Sequence, residues 1–109
     1  MGEEERIIKA TIRGLSRTII LWLLQRERMS GYRVTMEMRR ITGQPYTSGV
    51  VYPILYELEK KRLITGEWIQ KGKRKLKYYS ITDEGKKVLN NIRSTLEKPI
   101  KDVLIDLLK

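Results

Sequence analysis

Thr47-Ser48-Gly49-Val50-Val51-Tyr52-Pro53-Ile54-Leu55-Tyr56-Glu57-Leu58-Glu59-Lys60-Lys61 is the stretch from which the rest of the chain can be read. Thr47 and Ser48 are helix-start residues, able to accept a bond from a free backbone N–H of the first turn. Behind them Val51, Ile54, Leu55 and Leu58 recur at the spacing of one helix face. Ser48, Tyr52, Tyr56 and Lys60 stand four residues apart and line up on the opposite side. One side can bury, while the other presents hydroxyls, phenols and a cation. Pro53 removes the partner of the Gly49 carbonyl, close to the first turn, where that loss is least costly.

Upstream, Ile8, Ile12, Leu15, Ile19, Trp22 and Leu23 recur every three or four residues. They predict an amphipathic helix of about five turns. Ile20, Leu21 and Leu24 make its second half apolar nearly all round, as a central or shared helix should be. Gly14 marks a bend or a close contact. Arg26 to Met29 reads as a connector, and Ser30 then caps a helix carrying Tyr32, Val34, Met36 and Met38. The methionines read as packing residues. Gly43 stops that helix and Gln44-Pro45 turns the chain into the stretch quoted above.

Downstream, Ile64, Gly66, Trp68 and Gln70 alternate with Thr65, Glu67, Ile69 and Lys71. A turn over Lys71-Gly72-Lys73-Arg74-Lys75 leads into Leu76-Lys77-Tyr78-Tyr79-Ser80-Ile81, which predicts a β-hairpin with a basic tip. Tyr78 and Tyr79 should point to opposite faces. Thr82 or Asp83 caps a last helix, and Pro99 bends it or splits it in two. Its seam of Leu89, Ile92, Leu96, Ile100, Val103, Leu104 and Leu107 is too long for so small a domain to cover. With Ile8, Ile12 and Leu15 it is expected to form a dimer interface.

Composition narrows the function. The chain has 109 residues, 23 Lys+Arg against 13 Asp+Glu, and a formal net charge of +10. That balance favours a polyanionic partner, nucleic acid before an anionic membrane surface. No cysteine or histidine is present, which excludes disulfides, thiolate chemistry, the usual zinc sites and histidine acid–base catalysis. No metal or cofactor is called for. The longest apolar run, Ile19 to Leu24, is too short to span a membrane, and no signal peptide is visible, so a cytoplasmic protein is expected.

The expected fold is mostly α with a two-stranded β-hairpin wing: a winged helix-turn-helix over residues 1–82, followed by a C-terminal dimerisation helix over residues 83–109. The five cations Lys71, Lys73, Arg74, Lys75 and Lys77 crowd seven positions, a density that phosphates would neutralise. A winged helix that docks on another protein or in an RNA complex, without reading a duplex sequence, is the alternative. An enzyme is disfavoured for want of a catalytic constellation.

Gly31-Tyr32, Ser48-Gly49, Tyr52-Pro53 with Leu55, Leu58-Glu59, Leu63-Ile64, Trp68, Tyr78-Tyr79 and Thr82 with Gly85 together resemble the PadR family of transcriptional regulators, over about residues 14 to 90. The resemblance implies a winged helix-turn-helix homodimer that binds palindromic operator DNA, usually as a repressor. It also implies release by phenolic acids or other aromatic, hydrophobic effectors, and the small subfamily with one dimerising helix. On this reading Tyr32, Thr47, Ser48, Gly49, Tyr52, Tyr56 and Lys60 meet DNA together with the basic hairpin. An effector pocket is expected at Trp22, Trp68 and Leu96. Two positions depart from the family pattern. Leu76 stands where a basic residue often precedes the paired tyrosines, and Leu96 stands where some drug-binding relatives carry tryptophan.

Overall fold

The computed structural model describes residues 2–109. The expected first helix is two: α1 (Glu3–Gly14) and α2 (Ser16–Arg26). The break falls beside Gly14. Leu15 N–H bonds the Ile12 carbonyl at 3.0 Å, a tightened turn, and Ser16 is drawn inward so that its hydroxyl meets the buried Tyr46 hydroxyl. The α1 helix buries no residue, whereas α2 contributes Ile20, Leu21, Leu23 and Leu24 to the core. This agrees with the all-round apolar character of its second half.

Met29–Ser30, expected in part as connector, forms a short strand β1. The Ser30 side chain still caps the next helix, α3 (Gly31–Thr42), by accepting from Arg33 N–H at 3.2 Å. Gly43, at φ 69°, stops that helix in the left-handed conformation. A turn over Gln44–Thr47 leads to α4 (Ser48–Lys60), the stretch quoted at the outset. Its Val51, Leu55 and Leu58 are buried in the common core, where α4 meets α3 and β2, each such side chain contributing about 1.5–3 kcal/mol.

The hairpin comprises β2 (Ile64–Lys71) and β3 (Arg74–Ile81), paired antiparallel from Ile64↔Ile81 to Lys71↔Arg74. Its turn is only Gly72-Lys73, with Gly72 at φ 62°, the first central position where a type II′ hairpin takes glycine. Lys71, Arg74 and Lys75 are therefore ladder residues and not loop. β1 adds to β3 through Met29↔Tyr79 and Ser30↔Tyr78, so the wing belongs to a three-stranded sheet in the order β1-β3-β2, not a two-stranded one. Two residues carry no periodicity from which that third strand could be read. Tyr79 is buried and Tyr78 only half-buried, on the opposite face as expected.

Thr82 caps α5 (Asp83–Leu96): its hydroxyl accepts from Gly85 N–H at 3.0 Å and donates to the Arg62 carbonyl at 2.7 Å. The Thr82 N–H also reaches the Leu63 carbonyl at 3.1 Å. These bonds tie the start of α5 to the turn after α4. Val88 and Leu89 pack on the core, and beyond them the chain leaves it. The C-terminal helix is split in two at Pro99, one of the two outcomes expected there, and α6 (Ile100–Leu107) begins behind it without a buried residue. The radius of gyration, 15.5 Å, exceeds the roughly 13 Å of a compact chain of this length, as expected when terminal helices stand off the core.

Candidate nucleic-acid interface

Two acidic residues of α4 are each tied to a different neighbour, one on either flank. Glu57 receives a fork from Arg17 of α2, Nε at 2.7 Å and a terminal nitrogen at 2.8 Å, with the Lys61 ammonium at 3.5 Å. The Arg17 hydrogen bond, aided by the charges of Arg17 and Lys61, holds the Glu57 carboxyl down at about 2 against an opposing desolvation effect. On the other flank Glu59 accepts from the Lys77 ammonium of β3 at 2.9 Å, and that bond raises the Lys77 pKa. Lys77 also lies over the rings of Tyr79 and Trp68, at 5.2 and 5.9 Å. Both carboxylates on the helix are thus neutralised, and the helix is braced against α2 and the wing.

Between these flanks Thr47, Ser48, Gly49, Tyr56 and Lys60 are exposed, Tyr56 to 69%. Tyr52 is 43% exposed; its ring lies across Gly31, where an added Cβ would sit 2.6 Å from the ring and its hydroxyl. Thr47 makes no capping bond with its hydroxyl, contrary to expectation, and Ser48 is already the first helical residue. The Thr47 carbonyl does that work instead, accepting from the N–H groups of Val50 and Val51. Tyr32 of α3 is exposed beside this row. A groove of about 420 Å³ runs between the two helices, lined by Tyr32, Thr35, Met36, Arg39, Ser48 and Tyr52.

The wing carries Lys71, Lys73, Arg74 and Lys75, all exposed and none in an ion pair among the described residues. Lys77 does not belong with them, being spent on Glu59 and partly covered. Lys71 and Arg28 both lie over the Tyr78 ring, at 5.2 and 5.4 Å. Sequence reasoning passed over Arg39, although it stands seven after Tyr32 and so shares its helix face. It passed over Arg28 too, whose position depends on the unread strand.

Trp22, Trp68 and Leu96, expected at an effector pocket, are all exposed. Trp68 is 65% exposed on the outer part of the wing, where the strands have left the core; Trp22 lies on α2 under Arg26 at 5.0 Å; Leu96 ends α5. A cleft of about 350 Å³ lies elsewhere, between α1 and the turn before α4, over Ile8, Ile12 and Tyr46. Of the residues expected at a dimer interface, Ile12 and Leu89 already pack on their own core. Ile92 is half-buried, and Ile8, Leu15, Leu96, Ile100, Val103, Leu104 and Leu107 are exposed. No helix of the described residues is long and apolar enough to cross a membrane.

A helix-turn-helix followed by a basic hairpin, with a short strand before the two helices completing a three-stranded sheet, is the architecture of the winged helix-turn-helix transcription regulators. The chain belongs to the PadR-like family of transcriptional regulators, whose model matches residues 20–91. Among solved structures it is similar to a PadR family transcriptional regulator from Eggerthella lenta, with 28% identity, a TM-score of 0.81, and coverage of 96% of this chain and 91% of that one. It is also similar to a PadR-like transcriptional regulator from Bacillus cereus, at 25% identity and TM-score 0.80, over 92% and 97% of the two chains. Bacillus subtilis PadR, solved in complex with operator DNA, is 31% identical over 71% of this chain and 45% of its own, at TM-score 0.63. A comparison with curated proteins returned no match.

Proposed function

We propose that this chain is a sequence-specific DNA-binding regulator that acts as a homodimeric repressor in the cytoplasm. Residues 1–82 read the operator and residues 83–109 pair the subunits. The observation that carries the reading is the exposed polar row of α4 beside a wing whose Lys71, Lys73, Arg74 and Lys75 join no ion pair among the described residues. Ser48, Gly49, Tyr52, Tyr56 and Lys60 enter a major groove, with Thr47 and Tyr32 at its edge, while Lys71, Lys73, Arg74 and Lys75 hold the adjacent phosphates. The operator-bound Bacillus subtilis relative supports it. Pairing through the apolar faces of α5 and α6, with Ile8 and Leu15, sets two half-sites about one helical turn, roughly 34 Å, apart in a palindromic operator.

Titration of duplex DNA across salt concentrations tests the proposal, because each phosphate neutralised adds about 0.9 to the log–log slope. Replacing Lys73, Arg74 and Lys75 with Ala should lower that slope by about 2–3 per subunit, about 5 for the dimer on its operator. Duplex binding that ignores both salt and sequence would refute it. A small aromatic or hydrophobic effector completes the proposal. Because Trp22 and Trp68 are exposed, such a pocket closes only when a second subunit arrives. Quenching of Trp22 or Trp68 fluorescence by candidate compounds, assigned with Trp22→Phe and Trp68→Phe variants, tests it.

A further inference from the structure

The groove between α3 and α4 contains a cation whose orientation is already fixed. Arg39 Nε donates to the Tyr46 carbonyl in the turn before α4, and Nη1 lies 3.6 Å from the Met36 sulfur. Its neighbours of the same type are used differently. Arg40 is forked to Glu37 on the same helix at 2.8 and 3.2 Å, and Arg33 bonds Glu27 at 2.7 Å. Arg39 is exposed and joins no ion pair among the described residues. A long cation normally relinquishes rotamer freedom when it binds, and here two contacts inside the protein have already restricted it. With Nε occupied, the Nη1–Nη2 edge is the part of the fork left to bind a ligand, an edge that suits the paired oxygens of a phosphodiester. The residue also stands in the last turn of α3, directly before the turn into the proposed reading helix.

From this arrangement we infer that Arg39 binds a backbone phosphate of the duplex and is the positioning residue that sets how α4 enters the groove. The inference rests on the proposed DNA binding. It assigns Arg39 a sequence-independent role: it fixes register and reads no base.

The test compares wild type, Arg39→Ala, Arg39→Lys and Arg40→Ala on one operator and its single-base variants, over a range of salt. Loss of one phosphate contact per subunit predicts that Arg39→Ala lowers the log–log salt slope by about 1 per subunit, about 2 for the dimer, and weakens binding by the same factor on every operator variant. Arg39→Lys keeps the charge but not the fork, so its slope should recover more than its affinity. Arg40→Ala, which removes an adjacent arginine already paired to Glu37, should leave the slope unchanged. Thermal melts of each variant separate lost contacts from lost fold. An unchanged slope for Arg39→Ala, or a loss confined to operators altered at one base, overturns the inference and leaves the proposed function standing. Wild-type protein that shows no salt-dependent duplex binding removes the proposed function itself.

Discussion

Gly85 has no room for a methyl group: a Cβ there would lie 2.1 Å from the Leu63 carbonyl oxygen and 2.7 Å from Ile81. The obstruction is backbone, which cannot swing away, and it sits where Thr82 joins α5 to the turn after α4. Gly85→Ala should therefore destabilise the fold by about 2–3 kcal/mol, read as a lower urea midpoint at unchanged m-value. Gly31 presents the opposite case, because its space is filled by the end of the half-exposed Tyr52 side chain, which can turn aside. Gly31→Ala should displace the ring at little cost in stability, since alanine favours the helix it starts. Duplex affinity should fall about tenfold, roughly 1.4 kcal/mol, while the melting temperature holds. Both glycines stood out in the sequence as parts of motifs, but only the fold shows that one gives way to a carbonyl and the other to a phenol.

Among the elements, α4 was the most legible, because its apolar and polar residues separate cleanly at helical spacing. The hairpin was legible through its alternation, and the break at Pro99 through the missing N–H of proline. What escaped reading joins distant parts of the chain. Arg17 and Glu57 lie 40 positions apart, and β1 is recognisable only from its partner β3. The Arg17–Glu57 brace carries a pH signature. Glu57 titrates near 2 in the fold against an ordinary 4.5, so its contribution is complete above about pH 4.5 and disappears as pH falls towards 2. Glu57→Gln should lower the melting temperature by a constant amount at neutral pH, and the gap to wild type should close between pH 4.5 and 2. A gap that persists at pH 2 would show that Glu57 acts through packing instead of charge.

For the molecule as a whole, α6 and the Leu108 behind it expose Ile100, Val103, Leu104, Ile105, Leu107 and Leu108, a run of apolar side chains of the kind that marks an interaction surface. Under the proposed pairing, Val103→Glu with Leu107→Glu should yield monomers in sedimentation equilibrium. Affinity for a two-half-site operator should then drop by about 100-fold, since the second reading head is no longer tethered to the first. The proposed reading helix α4 is gripped on both sides, by Arg17 on Glu57 and by Lys77 on Glu59. A rod pinned along two edges resists rolling about its own axis. Under the proposed pairing, any signal that loosens the protein from its operator would have to act on the gap between the two rods, as callipers release by spreading their arms and not by bending their points.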